Sequence, residues 1–220
     1  MLDFDVDAVC SAYKTKNPKL TANAQAGLQA LLASIQDGPD VTDVRWAAYM
    51  LATVRWECAG KWQPIEEFGK GKGRPYGVPV KVTDADGVTF TNTYYGRGYV
   101  QLTWKANYAN MSQKLGLGNL LLLHPEHALE PQTAYSIMSF GMRNGSFTGK
   151  KLADFINDAG GDYFHARRII NGLDQAQKIA DFAQSFEDLL RANMKAPEQA
   201  AKAPEPAVEA AAAATGTSGS

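Results

Sequence analysis

The sequence predicts a mainly helical domain of α+β type with one small β-hairpin. Two observations point to it: apolar residues recur at helical spacing through most of the chain, and strand-like alternation is confined to one stretch around a Gly-containing loop. A third bears on size. The chain has 220 residues, 45% of them hydrophobic, and a formal net charge of -1, which fits one compact domain plus extensions.

The elements follow in chain order. Met1-Leu2-Asp3-Phe4-Asp5-Val6-Asp7 is acidic where a secretory signal is basic and then apolar, so no signal peptide is expected. Ala22 to Ile35 carries Leu28, Leu31, Leu32 and Ile35 on one helical face, with Thr21 placed to cap it. Thr42 is expected to cap a second helix with an apolar stripe of Val44, Ala47, Ala48, Leu51, Val54 and Cys58, which puts Glu57 in its last turn. Val78 to Val82 and Val88 to Thr91 flank Asp84-Ala85-Asp86-Gly87 and read as the hairpin. Thr103 is expected to cap a helix to about Leu115, and Pro131 to open another reaching about Asn144. Residues 150–157, 163–171 and 173–193 are expected to complete a helical second half.

Leu120 to Leu123 is the longest aliphatic cluster, far short of the roughly 20 residues that span a bilayer. Residues 1–194 are therefore expected to form the domain. Residues 195–220, rich in Ala and Pro and lacking large apolar side chains, read as a disordered tail that cannot offset the entropy of ordering. There is no internal repeat of solenoid or propeller period.

Several classes fall away on composition and spacing. Two cysteines, Cys10 and Cys58, are too few for a disulfide scaffold. They leave a single bridge or two free thiols, and free thiols in a reducing compartment are the expectation. His124, His127 and His165 have no further ligands in view, so no metal is expected, and no cofactor. Gly69, Gly71 and Gly73 lack the preceding strand of a dinucleotide fingerprint. The basic loop Lys70 to Arg74 could attract an anion, but a near-neutral chain argues against a nucleic-acid binder.

The chemistry-bearing stretch is Glu57-Cys58-Ala59-Gly60-Lys61-Trp62-Gln63-Pro64-Ile65-Glu66-Glu67, followed by Tyr94-Tyr95-Gly96-Arg97-Gly98-Tyr99-Val100-Gln101-Leu102-Thr103-Trp104. A helix C-terminus disfavours a carboxylate, and burial beside Trp56 or Trp62 would add to that, so Glu57 is expected to hold its proton. Glu66 and Glu67 precede a basic loop that favours an ionised partner. One carboxyl kept as acid and another as base is the division of labour that glycoside hydrolysis needs.

These motifs carry a family resemblance. Trp56-Glu57-Cys58-Ala59-Gly60 resembles the His-Glu-Thr-Gly/Ala-Gly motif of family 19 glycoside hydrolases, and Tyr94 to Asn107 resembles their Tyr-Tyr-Gly-Arg-Gly-Pro-x-Gln-Leu-Ser/Thr signature. Within that family the chain is most similar to phage endolysins and prophage lysozymes. The resemblance implies a lysozyme-like helical domain with the hairpin beside the active-site cleft.

It also implies roles. Glu57 would be the general acid, Glu66 the base that activates water, with Glu67 the alternative base, and Thr103 would help hold that water. Tyr95, Arg97, Gln101, Asn107 and Asn171 would contact sugar or shape the cleft floor, together with Tyr99. Arg168 or Arg167 would orient a catalytic carboxylate. Trp56 stands where the family has His, and Tyr99 where it has Pro. The implied reaction is inverting hydrolysis of the β-1,4 backbone of peptidoglycan, with the carboxyls roughly 6.5 to 9.5 Å apart. Chitin is the alternative substrate, and a non-catalytic wall-binding module the second alternative. A monomer acting on peptidoglycan glycan strands is expected, with no nucleic-acid partner and no stable membrane insertion. It would reside in the host bacterial cytoplasm until a holin pore gave it access to the wall.

Overall fold

The computed structural model describes residues 1–195. Residues 196–220, where nearly all of the expected tail falls, lie outside the described residues.

The chain begins with a helix that the sequence analysis did not anticipate. Helix α1, Val6–Lys16, is capped by Asp5, whose side chain accepts from the Ala8 amide, and it buries Val9, Cys10 and Tyr13. Asp7 in its first turn and Lys14 and Lys16 in its last complement the helix dipole. Helix α2, Ala22–Asp37, is capped by Thr21 as expected and buries Leu28, Leu31, Leu32 and Ile35.

Helix α3, Val44–Glu57, is the central element. Residues from Ala47 to Val54 are all buried, as in a helix surrounded by protein. Its cap is Asp43 and not Thr42: the Asp43 carboxylate accepts from the Arg45 amide at 2.9 Å and is clamped by the Arg45 guanidinium at 2.6 Å. A charged acceptor held by the next helical turn outcompetes a neighbouring hydroxyl for the orphan amides.

After α3 the chain turns sharply, with positive φ at Ala59, Gly60 and Trp62. That turn drives Trp62 into the core, where it meets Tyr13 and Phe186 edge-on at ring distances of 5.4 and 5.6 Å. Strand β1, Ile65–Glu66, follows, then the hairpin β2, Val80–Thr83, and β3, Thr89–Asn92, paired antiparallel from Val80↔Asn92 to Thr83↔Thr89. Strand β4, Arg97–Gly98, pairs back onto β1.

Helix α4, Lys105–Lys114, starts one residue later than Thr103 could cap. Trp104 occupies the cap position in the left-handed region without a side-chain bond, and the Thr103 hydroxyl donates to the Gln101 carbonyl at 2.7 Å. The reason is the tight turn before it, closed by the paired Arg97 and Leu102 backbones, which aims Thr103 away from the helix start. Helix α5 is the short Leu120–Leu123, and α6 is Pro131–Asn144, the span the sequence predicts.

Two expected helices are absent. Residues 150–157 form a short 3-10 turn, Leu152–Asp154, and strand β5, Ile156–Asn157, which pairs with β6, Gly160–Gly161. Residues 163–171 contain only the 3-10 turn His165–Ile169. Segments of this length gain too few helical bonds to meet the cost of nucleation. Helix α7, Ala176–Ala192, closes the fold and packs along α3.

The result is a mainly α, lysozyme-like domain with small two-stranded sheets. Its ends are tied together: Phe4 bridges to Met194, the Asp5 amide donates to Asn193, and the Lys195 amide donates to Asp3. Cys10 and Cys58 are free and buried. No helix among the described residues is long and apolar enough to cross a membrane.

Candidate active site

The end of α3 fixes the first carboxylate. Glu57 is the last helical residue, and its Oε1 accepts from Arg167 Nη1 at 2.6 Å. The Arg167 side chain is only 3% exposed and Glu57 17%. Arg167 Nε donates to the Asp174 carbonyl at 3.2 Å, so the guanidinium is fixed at both ends. The neighbour that Glu57 meets is thus a buried cation, not the tryptophan wall expected. Trp62 has gone to the core, and Trp56 lies under Lys178 Nζ, 5.2 Å from its ring centre. Arg168, the other arginine considered, is exposed.

Cys58 links this helix end to the second carboxylate. Its buried Sγ lies 3.9 Å from the Gly98 carbonyl and 3.8 Å from that of Tyr99. Burial, with the Glu57 charge beside it, pushes the thiol up to about 12, so it stays a weak donor. Gly98 and Arg97 then pair with Ile65 and Glu66. A two-residue ladder therefore joins the end of α3 to the strand that bears Glu66.

Glu66 is held by two donors. Its Oε1 accepts from the Tyr95 hydroxyl at 2.6 Å, and Oε2 pairs with Lys70 Nζ at 2.8 Å. The Lys70 and Tyr95 hydrogen bonds hold its carboxyl below the usual carboxylate range, against a smaller opposing effect of burial. Glu67 is committed elsewhere: its oxygens accept from the Tyr76 hydroxyl at 2.8 Å and the Gly96 amide at 3.0 Å, and its own amide donates to Gly96.

Tyr95 and Arg97 are buried behind Glu66, at 6% and 5% exposure. The Arg97 guanidinium stacks 3.6 Å over the Tyr95 ring and donates to the Thr93 carbonyl and the Tyr108 hydroxyl. Both side chains buttress the carboxylate. Tyr99 is also buried, at 1% exposure.

Four of the other expected residues do meet. A cleft of about 500 Å³ is lined by Gln101, Thr103, Asn107 and Asn171, with Tyr76 and Trp104. Gln101 sits at a positive φ and spends its amide N–H groups on the Ile65 and Gly98 carbonyls, while its oxygen packs against Gly96. Thr103 uses its proton on Gln101, so towards a water it can only accept. Asn107 donates to the Thr103 carbonyl, and Asn171 accepts from the Gly172 amide.

Sequence reasoning missed Tyr76, Phe147 and the outward face of Trp104. Trp104 is 49% exposed and meets Tyr76 edge-on at 5.2 Å, which makes an aromatic wall for the cleft. Nothing in the pattern around Tyr76 marks it, because it lies in a Gly-rich loop without periodicity. Two of the non-Gly residues at positive φ, Gln101 and Trp104, line this cleft. Such strain concentrates at functional sites.

Solved structures share this architecture. Chitinase C from Streptomyces griseus HUT6037 superposes with a TM-score of 0.53 at 24% identity, covering 84% of this chain and 93% of that one. The fold is that of chitinase C. A mutant of chitinase C gives the same TM-score of 0.53 at 23% identity and the same coverage of 84% and 93%. Identity this low is a likeness of fold to chitinase C, and of fold alone. No family model matches the chain, and no curated protein does.

Proposed function

We propose that this chain is a glycoside hydrolase acting on β-1,4-linked amino-sugar glycans, with peptidoglycan as its substrate. One observation carries the reading: two carboxylates on different elements, joined through a two-residue ladder, have different partners. Glu57 is gripped by Arg167 through one oxygen, and Glu66 is held ionised by Tyr95 and Lys70. The cleft lined by Thr103, Asn107 and Asn171 has neither carboxylate in its lining, and it meets the strand of Glu66 through Gln101, whose amide donates to the Ile65 carbonyl.

In this mechanism Glu57 donates its proton to the glycosidic oxygen from Oε2, the oxygen that Arg167 leaves free. Glu66 takes a proton from a water, while the Thr103 oxygen accepts the water's other hydrogen and orients it. Attack from the face opposite the leaving group inverts the anomeric centre. Glu67, already bonded to Tyr76 and to backbone, positions the strand that carries Glu66.

The cellular role we infer is that of an endolysin: a muramidase that reaches the wall through a holin pore and lyses the host. Glu57→Gln and Glu66→Gln each lower wall-clearing turnover by roughly 10²- to 10⁴-fold; Glu57→Gln also lowers the melting temperature, because it leaves the buried Arg167 charge unpaired. A Glu57→Gln protein that clears purified walls at the parent rate would sink the catalytic reading and leave a wall-binding module. Chitin hydrolysis is the second reading, favoured by the chitinase C fold. Mass analysis of products from peptidoglycan and from chitin decides between them.

A further inference from the structure

A second cavity, of about 790 Å³, opens on the other flank of the α3 end. Arg55, Trp56, Ala59 and Gly60 bracket Glu57 in sequence and line it, so it begins one residue from the proposed acid. Successive helical residues point about 100° apart, which sets the Trp56 side chain on a different flank from Glu57. The cavity shares no lining residue with the cleft.

Its chemistry is one-sided. Lys16, Lys19, Arg55 and Lys178 line it, and no Asp or Glu does, in a chain with 22 basic and 23 acidic residues. None of the four cations makes an ion pair among the described residues. Two are steered by aromatic faces: the Arg55 guanidinium lies 3.8 Å over Phe182 and Lys178 over Trp56 at 5.2 Å. An uncompensated cluster of cations over an apolar aromatic floor suits an elongated anion with small aliphatic groups.

We propose that this cavity binds the acidic stem peptide that branches from a peptidoglycan strand held in the cleft. The inference rests on the glycosidase reading and names what that reading leaves open, namely how a peptide-bearing glycan is told from chitin. Chitin is neutral and unbranched and has nothing to place among four cations. A stem of three or four extended residues reaches about 10 to 14 Å.

The test uses the full chain and a Lys16→Gln/Lys19→Gln/Lys178→Gln variant, with Arg55 kept because it packs on Phe182. The probe for calorimetric titration is stem tetrapeptide released from purified walls by an amidase. The parent is expected to bind it at least tenfold more tightly than the variant, and less tightly as salt rises from about 50 to 300 mM. On intact peptidoglycan the variant's KM should rise about tenfold with kcat unchanged, while on peptide-free glycan strands both constants should match the parent's. Equal peptide binding by parent and variant, or none by either, overturns the proposal. Tighter binding of poly(glycerol phosphate) than of stem peptide also overturns it, in favour of an anionic wall polymer. A protein that releases sugar only from chitin sinks the peptidoglycan reading itself; one that cleaves peptide-free glycan yet ignores the peptide sinks only this cavity.

Discussion

Tyr95 shows how a buried side chain sets the working range of a half-buried one. Its hydroxyl donates to Glu66, and that bond helps to hold the carboxyl below its usual range. A base must be ionised to work, so activity is retained as pH falls until it passes through this lowered value. Tyr95→Phe removes one of the two donors and lets the carboxyl return towards the ordinary carboxylate range. The acid limb of the kcat/KM profile should then move to higher pH with the alkaline limb unchanged, measured on a soluble glycan. Folding follows the same direction: the Glu66 interactions stabilise the fold above the unfolded carboxylate range, and that contribution fades as pH drops through the folded value. Glu57 was legible in the sequence because the stripe from Val44 to Cys58 times the helix to end at it. The choice of Arg167 over Arg168 was not, since adjacent arginines look alike until a 3-10 turn buries one and exposes the other.

At the scale of elements, long periodic segments were readable and short ones were not. Helices α2, α3 and α6 carry several turns of apolar stripe, and their ends fall close to where caps and proline place them. The 3-10 turns at Leu152–Asp154 and His165–Ile169 show the same local spacing over too few residues to tell a helix from a turn. Helix α1 is harder to read because it buries only Val9, Cys10 and Tyr13, a stripe too short to stand out. Close approach between elements was invisible too. Gly27 on α2 has the Trp62 carbonyl oxygen 2.1 Å from where a Cβ would stand. Gly27→Ala must push α2 off the turn that delivers Trp62 to the core, despite alanine's better helix propensity. A loss of about 1 to 3 kcal/mol is expected. Thermal unfolding should show it as a fall of roughly 2 to 12 °C, and an unchanged or higher melting temperature would refute the packing argument.

Over the whole molecule, the sequence conveyed the class of fold and the two motifs but not how they meet. That meeting depends on contacts far apart in the chain: Arg167 on Glu57, 110 residues away, and Tyr95 on Glu66, 29 residues away. Local patterns hold no record of such pairs. The tied ends are another long-range feature, with Phe4 fully buried against the last residues of the domain. Phe4→Ala is expected to cost about 3 to 5 kcal/mol, read as a lower denaturant midpoint with an unchanged slope. A separate early transition would show instead that the ends unfold on their own.

The thiols that line no cleft offer a way to watch these two regions move. Alkylating reagents attack the thiolate, and burial raises Cys10 to about 11 and Cys58 to about 12. Neither should react while its surroundings stay shut. Labelling at Cys58 then times the parting of the α3 end from β4, on which the alignment of Glu57 with Glu66 depends, and labelling at Cys10 times the release of α1. A glycan bound across the cleft should slow the first clock and leave the second running, so a single native chain can report opening of its catalytic half separately from opening at its ends.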